Sequence, residues 1–571
     1  MKNIYIIVLS GLLLNACNDE ILDVIPQDQL SDATVWSDEN TADLFLNDIY
    51  ANLPDGNDWY DPFENYSDNS MCGYGWTTSR GLEREGTYTA AGNYPEGSSG
   101  LRLWWDSNYG YIRRCNIFIT NVEKSDLPED YKRVRIGEAR YLRAYFYHIL
   151  WMSYGGLPII TEPLNRLTQG DDIFKPRATA EETARFIIGE CALAADELNV
   201  SSEPGRITKG AALTLKGWME LYDASALLNP DNEPARWAQA AETYKKVMDL
   251  GVYRLYPDYG ILFLPEGNAN DEGIMYRQYY PGTAQLGGRE SALMSTPYVG
   301  NDAHTSWGAV GPTQDLVDSY CMANGRPVDD PESGYDPQNP YANRERRFYE
   351  SIVYDGSYWY NDTIYTRLGV GSLNELDLSD AGDATNTGYN LRKRMNPNIQ
   401  LGAANWDGYT SSQHYYYFRY AEVLLGYAEA RNEAAGPDPS VYAAINQVRE
   451  RNPSNPYLPP LREGLSQSEM RTEIRRERRV ELAFEDKRRW DIVRWKAAEE
   501  LYSRGLHAMR IEEIDGKLHY TVIPATGGNR KFNWYNYWFP VPQQVLDRNE
   551  VIRAQNGGPD NWKNGQNPGY D

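Results

Sequence analysis

Apolar residues recur at helical spacing toward both ends of the chain and lose that spacing in the middle. Ala42, Phe45, Leu46, Ile49 and Tyr50 fall at i, i+3, i+4, i+7 and i+8, one face of a helix. Tyr109, Ile112, Cys115, Asn116 and Ile119 repeat the stripe, and "RIGEARYLRAYFYHILW" predicts a third, longer helix. Thr179 and Glu182 have capping-box spacing, ahead of Ala184, Ile187, Ile188, Cys191 and Leu198. "ITKGAALTLKGWMELYDASALL" follows, then Trp237, Ala240, Ala241, Tyr244, Val247 and Met248, a stripe that stops at Gly251. Consecutive amphipathic helices with small residues at their crossings predict a tetratricopeptide-like array of helix pairs. Helices return with "YFRYAEVLLGYAEARNEAAG" and "SVYAAINQVRERN", and a second capping box, Ser466 with Glu469, leads into a last long one.

Between these ends, from Tyr253 to Gln413, Gly, Pro, Asn, Asp and Tyr are dense and stripes are few. A similar aromatic and polar stretch, "DWYDPFENYSDNSMCGYGWTTSRGL", runs from Asp58 to Leu82. Loops this long on a rigid scaffold are where binding groups tend to sit. The pattern therefore divides the chain into an N-terminal helical region at 37–252, carrying the aromatic loop 58–82, a loop-rich insert at 253–413 and a C-terminal helical region at 414–571. The fold class expected is mainly α, with a large irregular, loop-rich ligand-binding half.

The final helix raises a question of its own. "IRRERRVELAFEDKRRWDIVRW", Ile474 to Trp495, crowds eight cations into about six turns. They alternate with Glu477, Glu481, Glu485, Asp486 and Asp491, and Glu485–Arg489 and Lys487–Asp491 have favourable i,i+4 spacing. Val480, Ala483, Phe484 and Trp490 share one side while Leu482 and Val493 lie roughly opposite. A helix apolar on two sides is sandwiched, so its arginines must pack their stems and satisfy their heads nearby. It reads as one central helix of the array and not as a grip on nucleic acid.

Charge supports that exclusion. The 571 residues carry a net charge of −25, with 81 acidic against 56 basic residues. That field repels nucleic-acid backbones and anionic lipid faces and leaves neutral ligands unpenalised. Tyr (45) and Trp (16) far outnumber Phe (12), which favours half-wet surfaces over dry core. Part of that surplus is expected to stack on sugar rings, whose C–H faces are apolar while their hydroxyls need hydrogen bonds.

The first residues set the compartment. Met1-Lys2-Asn3 precedes an apolar run, Ile4 to Leu14, too short to span a bilayer and suited to a signal peptide. Leu14-Asn15-Ala16-Cys17 resembles a bacterial lipobox, predicting a signal over 1–16, acylation at Cys17 and a tether over 17–36. Asn18-Asp19-Glu20 resembles a surface-export signal of Bacteroidetes-type lipoproteins. The other cysteines lack C-x-x-C pairing, and Cys115 and Cys191 sit where small apolar residues would. His148 lies in an apolar helix and reads as a satisfied core residue. The five histidines are scattered, with no H-E-x-x-H, G-x-S-x-G or P-loop pattern, and "DGNDWYD" lacks EF-hand spacing. Neither catalysis, metal nor cofactor is expected.

"RRERRVELAFEDKRRWDIVRW", "RYAEVLLGYAEARNEA", "INQVRERN", "PTQDLVDSYCMANG", "NRERRFYESIVY" and the terminal "FPVP" with "QNPGY" together resemble the hallmark segments of the SusD/RagB family. The resemblance implies a SusD-like fold and an outer-membrane lipoprotein facing the cell exterior. It further implies capture of oligosaccharides or polysaccharides for import through a SusC-like TonB-dependent transporter. Peptide capture and, more remotely, a surface glycoside hydrolase are the alternatives. The site expected is shallow and made by two loops. Trp59, Tyr60, Tyr66, Tyr74 and Trp76 come from the first and Tyr298, His304 and Trp307 from the second. Asp68, Asn69, Arg80, Asn301 and Asp302 would bond hydroxyls.

Overall fold

The structure is a computed structural model that describes residues 35–54, 62–73, 77–91, 104–280, 296–299, 303–304, 306–379, 384–398 and 411–570. Cys17 and the leader lie outside the described residues. Eleven helices carry the argument. They are α1 (Glu39–Ala51), α2 (Thr78–Glu85), α3 (Trp105–Lys124), α4 (Glu129–Tyr154), α5 (Ala180–Glu197), α6 (Lys209–Ala224), α7 (Pro234–Asp249), α8 (Tyr420–Ala435), α9 (Pro439–Glu450), α10 (Gln467–Glu481) and α11 (Arg488–Arg494). Both expected capping boxes form, Thr179 with Glu182 at α5 and Ser466 with Glu469 at α10.

From α3 to α8 each helix packs on the next, and α8 then packs on both α9 and α10. The step from α7 to α8 crosses about 170 residues of sequence without a break in the stack. Its contact explains itself. The Tyr244 ring of α7 lies between Gly217 of α6 and Gly426 of α8; a Cβ at Gly426 would stand 2.5 Å from the ring, and one at Gly217 3.1 Å. Glycine there lets the backbones close over an aromatic ring, and most of the apolar core lies along this stack.

The excursion between α7 and α8 has only short helical turns among its described residues, such as Gln314–Val317 and Arg346–Ser351, and the rest of the irregular half is held by short antiparallel pairs. The strands are β1 (Ser70–Met71), β2 (Gly273–Arg277), β3 (Tyr298–Val299), β4 (Ala303–His304), β5 (Gly311–Pro312), β6 (Ile352–Val353), β7 (Ser357–Trp359), β8 (Asp362–Ile364), β9 (Asn390–Leu391), β10 (Tyr415–Arg419), β11 (His507–Ile514) and β12 (Lys517–Pro524). They form six two-stranded sheets, β1-β5, β2-β10, β3-β4, β6-β9, β7-β8 and β11-β12. A second core gathers here around Tyr320, Phe348, Trp359 and Tyr389. No helix among the described residues is long and apolar enough to cross a membrane.

The basic segment departs from the expected single helix. α10 ends at Glu481 and α11 begins at Arg488, with Phe484 and Asp486 between them in the left-handed region (φ 62° and 59°). Non-glycine residues adopt that conformation only when surroundings over-determine it. The expected i,i+4 pairs do not form. Glu485 bonds Lys393 and Arg419 instead, Lys487 reaches Glu422, and Asp491 takes Arg478 and Arg494. The break sends Phe484 into the second core. Sandwiching holds, because Arg478, Arg489 and Arg494 are almost fully buried.

Candidate functional site

The base of the expected site is the segment 62–73, and three anchors fix it. Phe63 stacks on Trp490 of α11, centroids 4.9 Å apart and planes 22° from parallel. The Asn65 amide donates to the Ala309 carbonyl at 2.9 Å, and Thr313 N–H donates to the Asn69 carbonyl at 2.9 Å. β1 then pairs with β5, Ser70 opposite Pro312 and Met71 opposite Gly311. These contacts join the two loop regions that the sequence placed more than 200 residues apart. Gly73 closes the approach, since a Cβ there would lie 3.0 Å from the Gly308 carbonyl oxygen.

Three expected ligand contacts belong to this base and leave the site. Tyr66 is fully buried, its carbonyl taken by Arg489 and its ring packed 5.6 Å from Phe63. Asp68 is clamped by Arg488 at 2.7 and 2.9 Å and by Arg479 at 3.1 Å. Burial alone would raise its carboxyl, but the Arg479 and Arg488 guanidiniums outweigh that and hold it well below the usual carboxylate range. Asn69 donates to Glu64 at 2.7 Å and accepts from Arg479 at 2.8 Å, so its amide is spent. The physical reason is shared: a long loop needs its own core, and these groups are that core.

Glu64 was not anticipated. Its carboxylate accepts from Asn69, from Phe484 N–H at 3.1 Å and from Asp486 N–H at 3.2 Å, so it holds the left-handed turn between α10 and α11. Burial, and then the Asp486 charge, push its carboxyl up to about 7. Its sequence signal was slight, one acid among several in an aromatic loop.

The rim is made differently. Trp307 is half-buried against the second core, directly before Gly308. Tyr298 is half-buried in β3, opposite His304 in β4. Asn374 fixes this hairpin, accepting from Tyr298 N–H at 3.1 Å and donating to its carbonyl at 2.7 Å. Asn374 was missed because "SLNEL" carries no aromatic. Trp59, Tyr60, Tyr74, Trp76, Asn301 and Asp302 lie outside the described residues, as do the side chains of Arg80 and His304.

Another cleft, of about 400 Å³, lies between the 200–208 loop and β2. Both of its guanidiniums are already engaged. Arg206 pairs with Asp43 and Glu138, and Arg277 donates to the Leu53 and Ala51 carbonyls. It is a seam of the scaffold. Among the described residues no group of three His, Cys, Asp or Glu side chains could hold a metal ion. Cys72, Cys115, Cys191 and Cys321 are buried, and none is in a disulfide among the described residues. His148 is buried as expected, but neither ring nitrogen makes a well-formed hydrogen bond with a described residue, so it is not the satisfied histidine expected.

Residues 271–570 match the SusD family, and residues 22–216 match a family described as starch-binding and associating with the outer membrane. The chain belongs to the SusD/RagB family. SusD-like protein P38 of Formosa agariphila is 26% identical over 525 residues, 88% of this chain and 93% of that protein. A SusD-like protein from Bacteroides fragilis superposes with a TM-score of 0.75 at 28% identity, covering 95% of this chain and all of that one. A SusD-like carbohydrate binding protein from the same organism gives 0.72 at 26%, covering 91% and 100%. The SusD-like fold thus accounts for a helix stack that continues through a loop-rich excursion.

Proposed function

We propose that this SusD/RagB protein is a non-enzymatic surface lipoprotein that captures oligosaccharides and delivers them to a SusC-like TonB-dependent transporter. Acylation at Cys17 would hold it on the outer membrane, facing outward. The observation that carries the reading is the convergence of the two aromatic loop regions on one ion-locked base. Gly73 lies against the Gly308 carbonyl, next in the chain to Trp307, and Asn374 holds Tyr298 by both its backbone groups. Rings presented on a rigid floor suit sugar faces, because little conformational entropy is lost when a ligand docks. The buried carboxylates around the site are bonded to arginines or backbone N–H groups, an arrangement that supports anchoring over acid–base work. A relative named as a carbohydrate binding protein agrees with this reading.

Calorimetry against soluble oligosaccharides and against peptides tests it. Trp307→Ala should weaken glycan affinity by about 1–3 kcal/mol, the range seen for stacking of flat rings on aromatic side chains. Tight binding of peptides with none of glycans would overturn the substrate class. Release of new reducing ends at catalytic rates would overturn the non-enzymatic role.

A further inference from the structure

Trp534 is 63% exposed, an unusual setting for the largest side chain. It is not a stray residue on a mobile strand. Asn533 donates to the Gly86 carbonyl at 2.9 Å, and Lys531 N–H donates to the Glu83 carbonyl at 2.7 Å, fastening this segment to the end of α2. The Trp534 ring meets Tyr535 edge-on, centroids 5.4 Å apart, and Tyr535 meets Tyr570 edge-on at 5.1 Å. Tyr570 is itself held by its hydroxyl, which donates to the Trp538 carbonyl and accepts from the Asn536 amide, both at 3.0 Å. Gly569 keeps the row tight, because a Cβ there would lie 2.4 Å from the Tyr535 ring.

The row ends in an open hollow of about 700 Å³, lined by Tyr570, Gln543, Glu550, Arg553, Lys563 and Asn564 among others. Arg553 and Glu550 pair at 3.2 Å and offset each other's charge. The Asn564 side-chain amide makes no hydrogen bond to a described residue, although its backbone N–H is bonded to Asn556. A flat aromatic ring beside a hollow furnished with amides, an offset ion pair and one lysine has the chemistry that recognises a saccharide: a face for C–H groups to stack on and donors and acceptors for hydroxyls.

We propose that Trp534, with Tyr535, Tyr570 and the hollow beside them, is a second saccharide-binding surface. It rests on the glycan-capture reading above and extends it. α2 begins at Thr78, five residues after Gly73 of the first site's base, and Asn533, the neighbour of Trp534, is fastened at its other end. Eight helical residues span about 12 Å, so α2 links the base of the first site to the segment that carries Trp534 by one short helix. A polymer that reaches both gains from effective concentration without any new contact.

Affinity electrophoresis in gels containing soluble starch, laminarin, xylan or galactomannan tests this, followed by calorimetry with a short oligosaccharide of the polymer retained. Trp534→Ala should lower polymer affinity about 5- to 20-fold and reduce the number of oligosaccharide sites from two to one. Asn564→Ala should act in the same direction with a smaller effect. Trp307→Ala should leave residual binding, which the double variant loses. Retention of Trp534→Ala equal to that of the unaltered protein, with one site in both, overturns this surface while leaving the first site standing. If the unaltered protein is retained by none of the four polymers and binds no glycan, both readings fall. Unchanged circular dichroism of Trp534→Ala separates lost binding from lost folding.

Discussion

At the crossing of α6, α7 and α8, the buried group that joins three helices is a tyrosine ring clasped by two glycines. Where the same stack meets the loop-rich half, the buried groups are charged. Glu272, Glu345, Glu477, Glu481 and Glu485 interlock with Arg347, Lys393, Arg419, Arg449 and Arg451 in one network, five carboxylates to five cations. Helices satisfy their own backbones, so they meet mainly through apolar faces, with a few ion pairs such as Arg143–Glu190 between α4 and α5. Irregular chain leaves N–H and C=O groups over, and an arginine can serve several acceptors at once. Arg419 does so, donating to the Glu481 carbonyl as well as to Glu272, Glu481 and Glu485. The stack is therefore tolerant in chemistry and strict in volume, and the seam is the reverse.

The harshest test of that contrast removes one member of the network. Arg419→Met keeps the volume but leaves Glu481 and Glu485 short of a partner deep in the protein. Breaking a buried pair in this way costs about 3–5 kcal/mol. Denaturant unfolding should show a loss of that order, with part of it recovered when Glu481→Gln is added. A loss below about 1 kcal/mol would mean that the seam is held by something other than its charges.

What could be read from the sequence follows the same division. The stripe from Trp237 to Met248 and the two capping boxes are local devices, and each appears in the structure as α7, α5 and α10. The break at Leu482–Lys487 was not legible, because it contains neither glycine nor proline and its stabiliser, Glu64, lies some 420 residues away. Tyr66, Asp68 and Asn69 were drawn into the site by composition alone. Tyr and Asp beside amides describe a loop that binds a ligand and a loop that binds itself equally well, and only the partners Arg479 and Arg488 decide between them. Trp307 and Tyr298 carried the same signal and are only half-buried.

A milder change probes the strictness of the stack. Gly426→Val would drive a branched side chain into the Tyr244 ring, where even a Cβ stands at 2.5 Å. Overpacking of this kind costs typically 1–3 kcal/mol. Thermal unfolding should show the loss, and adding Tyr244→Leu should recover part of it by vacating the space. Equal stability of Gly426→Val and the unaltered protein would mean that α7 and α8 can slide apart at little cost. Gly426→Ser tests the other half of the contrast: if volume alone matters, it should behave much like Gly426→Ala despite its hydroxyl.

The smallest expected effect asks whether the stack tolerates a charge without an ionic partner, since Arg143 of α4 and Glu190 of α5 already pair within it. His148 sits in α4 among Tyr145 and Trp218, with ring centroids at 5.4 and 4.8 Å. Burial first, and then the Lys487 charge, lower its pKa to about 3 from an ordinary value of 6.5, against a weak opposing pull from the Tyr145 backbone. The folded imidazole is therefore neutral, while the unfolded one takes a proton near pH 6.5. Stability that His148 permits at neutral pH is lost as pH falls through that window, by up to about 1.4 kcal/mol per pH unit. His414, lowered to about 4 by its own burial, acts in the same sense. Glu64 opposes both. Its folded pKa near 7 means that its contribution is fully present below about pH 4.5 and fades as pH rises to 7. Glu485, held near 2 because Arg419 and Lys393 outweigh its burial, adds its loss only below about pH 4.5. His148→Phe should then flatten the decline in stability between pH 6.5 and 4.5, measured by urea unfolding across that range, while leaving the steeper acid loss below it. An unchanged slope in that interval would mean that His148 takes up its proton in the folded protein, and that the stack can hold a buried charge with no carboxylate beside it.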